Sequence, residues 1–116
     1  MVYVESFQNA LNPTDPKVYG FDASIEFPPA DASTPIDPPG AIVNPDFHGV
    51  VHDYRRMVRN YFERKRPSHT RFRGVMPAWD NTARRQDNPH IFAHASPGAF
   101  QAWLEAAFED TRAHNT

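Results

Sequence analysis

Between residues 73 and 85 the chain reads RGVMPAWDNTARR, an apolar run that passes directly into Trp79, Asp80, Asn81, Thr82, Arg84 and Arg85. Neither a helix core nor a strand core favours that mixture, but a ligand with many hydroxyl groups does. Trp79 offers a flat apolar face of the kind that stacks on a sugar ring, and Asp80, Asn81 and Arg84 supply directional hydrogen bonds to hydroxyls. A simpler reading stands beside this one: Asp80 and Thr82 cap the loop, and Arg84 and Arg85 are solvated. A second carboxylate, Glu26, closes the polar face of the segment YGFDASIEF. Paired carboxylates at the strand ends of a rim suit glycosyl chemistry, one as acid and the other as base or nucleophile. Glu26 is therefore the leading catalytic candidate, and its competing role is an internal ion pair with an arginine.

The elements that must position these groups follow from hydrophobic periodicity. In residues 19–27, Phe21, Ala23, Ile25 and Phe27 alternate with Asp22, Ser24 and Glu26, which predicts a strand with one polar face. In a barrel, Asp22, Ser24 and Glu26 line the interior, with Glu26 nearest the rim. Pro28 and Pro29 end that strand, and the segment from Pro28 to Pro45 holds six of the 12 prolines, so it is a long irregular loop. Tyr54, Met57, Val58, Tyr61 and Phe62 then form one stripe of an amphipathic helix, with Asp53 as N-cap and Pro67 as stop. Residues 72–77 read as a short buried strand and 78–95 as a second long loop. Ser96-Pro97 starts a helix whose buried stripe is Phe100, Trp103, Leu104, Ala107 and Phe108. Strand, long loop, helix, repeated once, predicts an α/β protein with a parallel sheet, in which both long loops lie on one rim at the carboxyl ends of the strands.

Composition narrows the function classes. The chain has 116 residues, a net charge of −2 and no cysteine, which excludes disulfides and thiolate metal sites and gives no general reason to expect nucleic acid. No apolar run approaches the length of a membrane span and no leader is visible, so the expected compartment is the cytoplasm. Charge is unevenly distributed: residues 1–50 hold seven acidic groups against Lys17, whereas residues 51–75 hold eight basic groups against Asp53 and Glu63. A solvated helix face and end explain that basic stripe, with phosphate binding as the lesser alternative. His48 and His52, and His90 and His94, are spaced by four, but neither pair has a third ligand at a diagnostic spacing, so no metal is expected. No phosphate-cradling glycine loop or serine nucleophile elbow is present, and no cofactor is expected.

At GFDASIEFPP (20–29) and RGVMPAWDNTARR (73–85) the chain resembles the WbsX-type, glycoside-hydrolase-family-99-like proteins of bacterial polysaccharide loci. That family is similar to endo-α-mannosidases, and its members are described as glycosyltransferases or glycoside hydrolases. DYRRMV (53–58) and SPGAFQAWLEAAF (96–108) fall in the expected intervening places, so the resemblance covers nearly the whole chain. It implies a (β/α)8 TIM-type barrel and a carbohydrate ligand, an oligo- or polysaccharide of mannoside-like type, with Asp22, Glu26, Trp79, Asp80, Asn81, Thr82, Arg84 and Arg85 on the substrate rim. The family's aromatic and Gly/Glu-rich N-terminal motif is missing, as is the WNEWAEG-like strand whose glutamates are expected to do the chemistry. Residues 1–116 are thus expected to be a partial barrel domain of two to three βα units, lacking the N-terminal units and the last strands. Such a segment leaves strand edges open to self-association. The implied function is cleavage or transfer of glycosyl units in bacterial polysaccharide metabolism of the O-antigen or capsule type. A non-catalytic sugar-binding remnant, or a segment that completes a barrel with another polypeptide, is the alternative.

Overall fold

Three short strands, each followed by a charged residue, form the larger of two parallel sheets. A computed structural model of the protein describes residues 1–5, 13–28 and 35–114. Strand β1 (Val2–Val4) pairs with β2 (Ala23–Ile25), and β2 pairs with β4 (Thr70–Phe72), all parallel. The register aligns Val4, Ile25 and Phe72, so the residues that follow them, Glu5, Glu26 and Arg73, stand in one row at the carboxyl ends. The smaller sheet pairs β3 (Val50–Asp53) with β5 (His90–Ala93), again parallel. Each short strand of this sheet runs almost directly into a helix: β3 into α1 (Tyr54–Glu63), and β5 into α3 (Pro97–His114), with a single turn, α2 (Thr82–Arg85), before β5.

The α/β class with parallel strands agrees with the sequence pattern, whereas several boundaries move. The strand expected over 19–27 contracts to Ala23–Ile25, because Asp15 and Pro16 start a 3-10 turn at Pro16–Tyr19 that Gly20 closes at φ 79°. The strand expected over 72–77 lies instead at Thr70–Phe72, since the Gly74 amide turns to Glu26 Oε2 rather than continuing a ladder. Neither long loop is structureless. The first carries β3 at its end, and the second holds α2 and β5, so the unpaired backbone of one satisfies that of the other.

Both helices begin as their sequences dictate. Asp53 Oδ1 accepts from the amides of Arg55 and Arg56 at 2.9 and 3.4 Å, and Ser96 Oγ accepts from Ala99 at 3.1 Å. The apolar stripe of α1 meets α3 and the loop strands in one core of Tyr54, Met57, Tyr61, Met76, Phe92 and Trp103. The two buried tyrosines keep their hydroxyls satisfied, Tyr54 donating to Met76 O at 2.7 Å and Tyr61 to Phe27 O at 2.8 Å. The expected stripe of α3 is narrower than its spacing suggested: Trp103 and Ala107 are buried, but Phe108 is 63% exposed.

Asp53 gives a direct test of the cap. Its hydrogen bond with Arg55, working against burial, holds its carboxyl below the ordinary value of 3.8. A folded-state pKa below the unfolded one means that the stabilisation is complete above about 3.8 and is lost as pH falls through the depressed value. Asp53→Ala should cost about 1 kcal/mol at neutral pH, the usual worth of a cap. Stability measured by urea denaturation should differ between the two proteins at pH 7 and converge in acid. A difference that persists undiminished at the acid end would rule out the charged cap.

Candidate functional site

The polar face of β2 is buried rather than open. Glu26 has a side-chain exposure of 0% and accepts from Arg64 at 2.9 Å and Arg73 at 2.9 Å on Oε1, and from the Gly74 amide at 3.0 Å on Oε2. Arg64, the C-cap of α1, reaches Glu5 at 3.0 Å, and Ser24 Oγ donates to the other Glu5 oxygen at 2.9 Å. Arg73 also bridges to Asp110 on α3 at 2.8 Å, and Asp110 in turn accepts from Arg66 at 2.6 Å. The Arg73 hydrogen bond holds the Asp110 carboxyl below the usual carboxylate range, against the opposing effect of burial. These groups form one connected network that joins β1, β2, the end of α1, the start of the β4–α2 segment and α3. Buried charges of this kind persist only when paired and hydrogen-bonded.

Two expectations are corrected here. The basic stripe over 51–75 is not a solvated helix face throughout, because Arg64, Arg71 and Arg73 have side-chain exposures of 2%, 6% and 13%. They turn inward to the acidic groups of the first half of the chain. Asp22 does not line an interior: its side chain is 83% exposed and pairs with the N-terminal amine of Met1. It lies just before the paired residues of β2, beyond the segment that the neighbouring strands cover. Glu5 is a strand-end carboxylate that periodicity did not reveal, because a three-residue strand is too short to show alternation.

The segment 79–85 forms a compact, largely exposed corner. Trp79 is half-buried, with its ring edge-on to Phe27 at 6.4 Å, which seats it beside the residue that follows Glu26. Trp79 O accepts from the Phe92 amide at 2.9 Å, and Asn81 Oδ1 accepts from the His90 amide at 2.7 Å, so the corner is fastened to β5. Asp80 Oδ1 accepts from the Thr82 amide at 2.8 Å and from the Thr82 hydroxyl. Asp80, Thr82, Arg84 and Arg85 are exposed or nearly so, and Arg85 Nε donates to Asn88 O at 3.1 Å. The two long loops touch: Asn44 donates to Asp87 Oδ1 at 2.8 Å, and the His48 amide to Asp87 O at 2.7 Å. Trp79, Asp80, Asn81 and Thr82 thus share one corner, whereas Asp22 and Glu26 belong to separate surroundings.

The histidines meet in an unexpected pairing. His52 and His90, one from each short strand, stack at 5.2 Å with Nε2 and Nδ1 2.9 Å apart, and His52 stacks on Phe92 at 4.7 Å. Sequence spacing couples each with a near neighbour, and only the β3–β5 register brings residues 52 and 90 together. Among the described residues no three histidine, aspartate or glutamate side chains converge as a metal site would require.

Parallel strands leading into helices, with a polar corner held at the junction of two loops, define an α/β scaffold, and comparison with known proteins gives its family. The profile of the family described as "Glycosyltransferase WbsX" matches residues 1–116, and the chain belongs to that family. It is 39% identical over 105 residues to the protein described as "Uncharacterized protein WxcX" of Xanthomonas campestris pv. campestris strain B100. The same protein from strain ATCC 33913 matches equally, at 39% over 105 residues. In both cases the match covers 90% of this chain and 14% of the relative, so the chain spans about one seventh of those relatives' length. No solved structure matches it. No helix among the described residues is long and apolar enough to cross a membrane.

Proposed function

We propose that this chain is part of a longer carbohydrate-active (β/α)8 barrel, in which it helps to transfer or cleave glycosyl units of a bacterial polysaccharide. The observation that carries the reading is the family match across all 116 residues. Its description as a glycosyltransferase favours transfer. The geometry supports the same reading in two ways. The corner of Trp79 and Asp80 follows a parallel strand, the position at which α/β proteins gather their ligand contacts. The buried carboxylate Glu26 is occupied by arginines and a backbone amide, so in this reading it holds the strand ends in register while the exposed corner meets the sugar. Trp79 supplies the stacking surface, and Asp80, Asn81, Thr82, Arg84 and Arg85 the hydrogen-bonding groups.

The test is a paired measurement on a full-length protein that carries this segment. Asp80→Asn keeps the size of the side chain and removes its charge. A carbohydrate titration should show binding weakened by about 1.5–3 kcal/mol, the range of a hydrogen bond to a charged group, with little change in melting temperature. If Asp80 serves only to fasten Thr82, the melting temperature falls and the affinity of the folded molecules is unchanged. That second outcome would return the corner to scaffold.

A further inference from the structure

One buried arginine of the network has no hydrogen-bonded carboxylate among the described residues. Arg64, Arg66 and Arg73 each have a carboxylate oxygen within 3.0 Å. Arg71 does not: its nearest carboxylate among the described residues is Glu26 Oε1 at 3.7 Å, beyond hydrogen-bond reach, and that oxygen already accepts from Arg64 and Arg73. Yet the Arg71 side chain is 6% exposed. A largely buried guanidinium that reaches solvent only at its edge and has no hydrogen-bonded anion is poorly compensated, and a bound anion supplies the missing partner.

The remaining exposure of Arg71 opens into a cleft of about 570 Å³ between the α1–β4 connection and the start of the 3-10 turn. Among the described residues its wall carries Lys65, Arg66, His69 and Arg71 against the single carboxylate Asp15. His69 is fixed in orientation. Ser24 spends its one hydroxyl proton on Glu5, so it must accept from His69 Nε2 at 3.1 Å, and His69 Nδ1 lies 4.0 Å from Asp15. The volume falls within the range of small-molecule sites.

We propose that this cleft binds the phosphoryl group of a small phosphate ester, with Arg71 as its buried anchor and Lys65 as a charge at its mouth. Arginine suits the role because its planar fork meets two phosphate oxygens at once. Burial, reinforced by the repulsion of Arg64, lowers the Arg71 pKa from its ordinary value, which marks a cation that its present carboxylate neighbours do not fully compensate. The cleft sits at the amino end of β4, and its residues are not those of the Trp79 corner, so the two sites stand or fall separately.

Isothermal titration of the full chain with inorganic phosphate, a hexose 1-phosphate and a nucleoside diphosphate tests the site. Arg71→Met should weaken binding roughly tenfold or more, and because it removes a buried charge that no carboxylate hydrogen-bonds its melting temperature should equal or exceed that of the parent. Lys65→Ala changes an exposed side chain, keeps the fold, and should weaken binding roughly threefold to tenfold. Equal affinity for all three probes identifies a site for the phosphoryl group alone, and tighter binding of one ester identifies its source. Absence of binding by all three at millimolar concentration, or unchanged affinity in both variants, overturns the proposal.

Discussion

Glu26→Ala should destabilise the protein by about 3–5 kcal/mol, the cost of breaking a buried ion pair by deleting one partner. The deletion takes one carboxylate from Arg64 and Arg73, leaving Glu5 to the first and Asp110 to the second, and frees the Gly74 amide that bonds to Oε2. Arg71, 3.7 Å away, loses its nearest carboxylate at the same time. Glu26→Gln keeps acceptor geometry on one oxygen and should lose less, but it still leaves the arginines in excess. Urea denaturation of the three proteins gives the comparison. A loss below about 1 kcal/mol for the alanine variant would mean that water reaches these groups and that the network is not dry.

A comparable loss is expected from the smallest possible change next to it. Gly74 lies so close to β2 that an added Cβ would stand 2.5 Å from Glu26 O and 3.1 Å from Pro28 Cδ. The nearer atom belongs to the backbone and cannot swing aside. Gly74→Ala must therefore push the ends of β2 and β4 apart and lengthen the bond from the Gly74 amide to Glu26 Oε2. Overpacking typically costs about 1–3 kcal/mol and a hydrogen bond to a charged group about 1.5–3, so a combined loss of about 3–5 kcal/mol is expected. Because both substitutions act on one contact, the double variant Glu26→Ala, Gly74→Ala should lose less than the two single losses together. Strict additivity would show that the glycine serves some other neighbour.

The parts of this architecture that are legible in the sequence are those written in local chemistry. Asp53 and Ser96 announce their helices because a cap is a contact between residues two or three apart, and Tyr54, Met57 and Tyr61 announce a buried face by their spacing. The alternation around Ser24 and Glu26 likewise marks a strand with a polar face. Strands of three or four residues carry too little pattern, so β1, β3 and β5 escape a reading by periodicity, and with them Glu5 and the His52–His90 contact. Charge runs mislead for a related reason. The basic stretch over 51–75 looks like a solvated surface until the acidic residues that follow β1 and β2, distant in sequence, are laid against it. At the candidate corner, Trp79 to Arg85 stand out by composition, whereas the fastening of Asn81 to the His90 amide is visible only in three dimensions.

The ladder between the two loops has a further consequence for the order of events as the chain folds. Val50 meets His90 and Asp53 meets Ala93, so each rung closes a span of roughly forty residues, with α1 and β4 lying inside it. Closing so long a span carries an entropic cost before any rung returns stability, and pairings of this kind govern slow folding. The helix α1, capped by its own neighbour, can form early, whereas β3 and β5 must wait until the intervening segments have brought them side by side. Asn81 and Trp79 hang on β5, so the corner that displays Asp80 takes shape only with that last closure. Amide protons of residues 50–53 and 90–93 should accordingly gain protection from exchange together, later than those of α1.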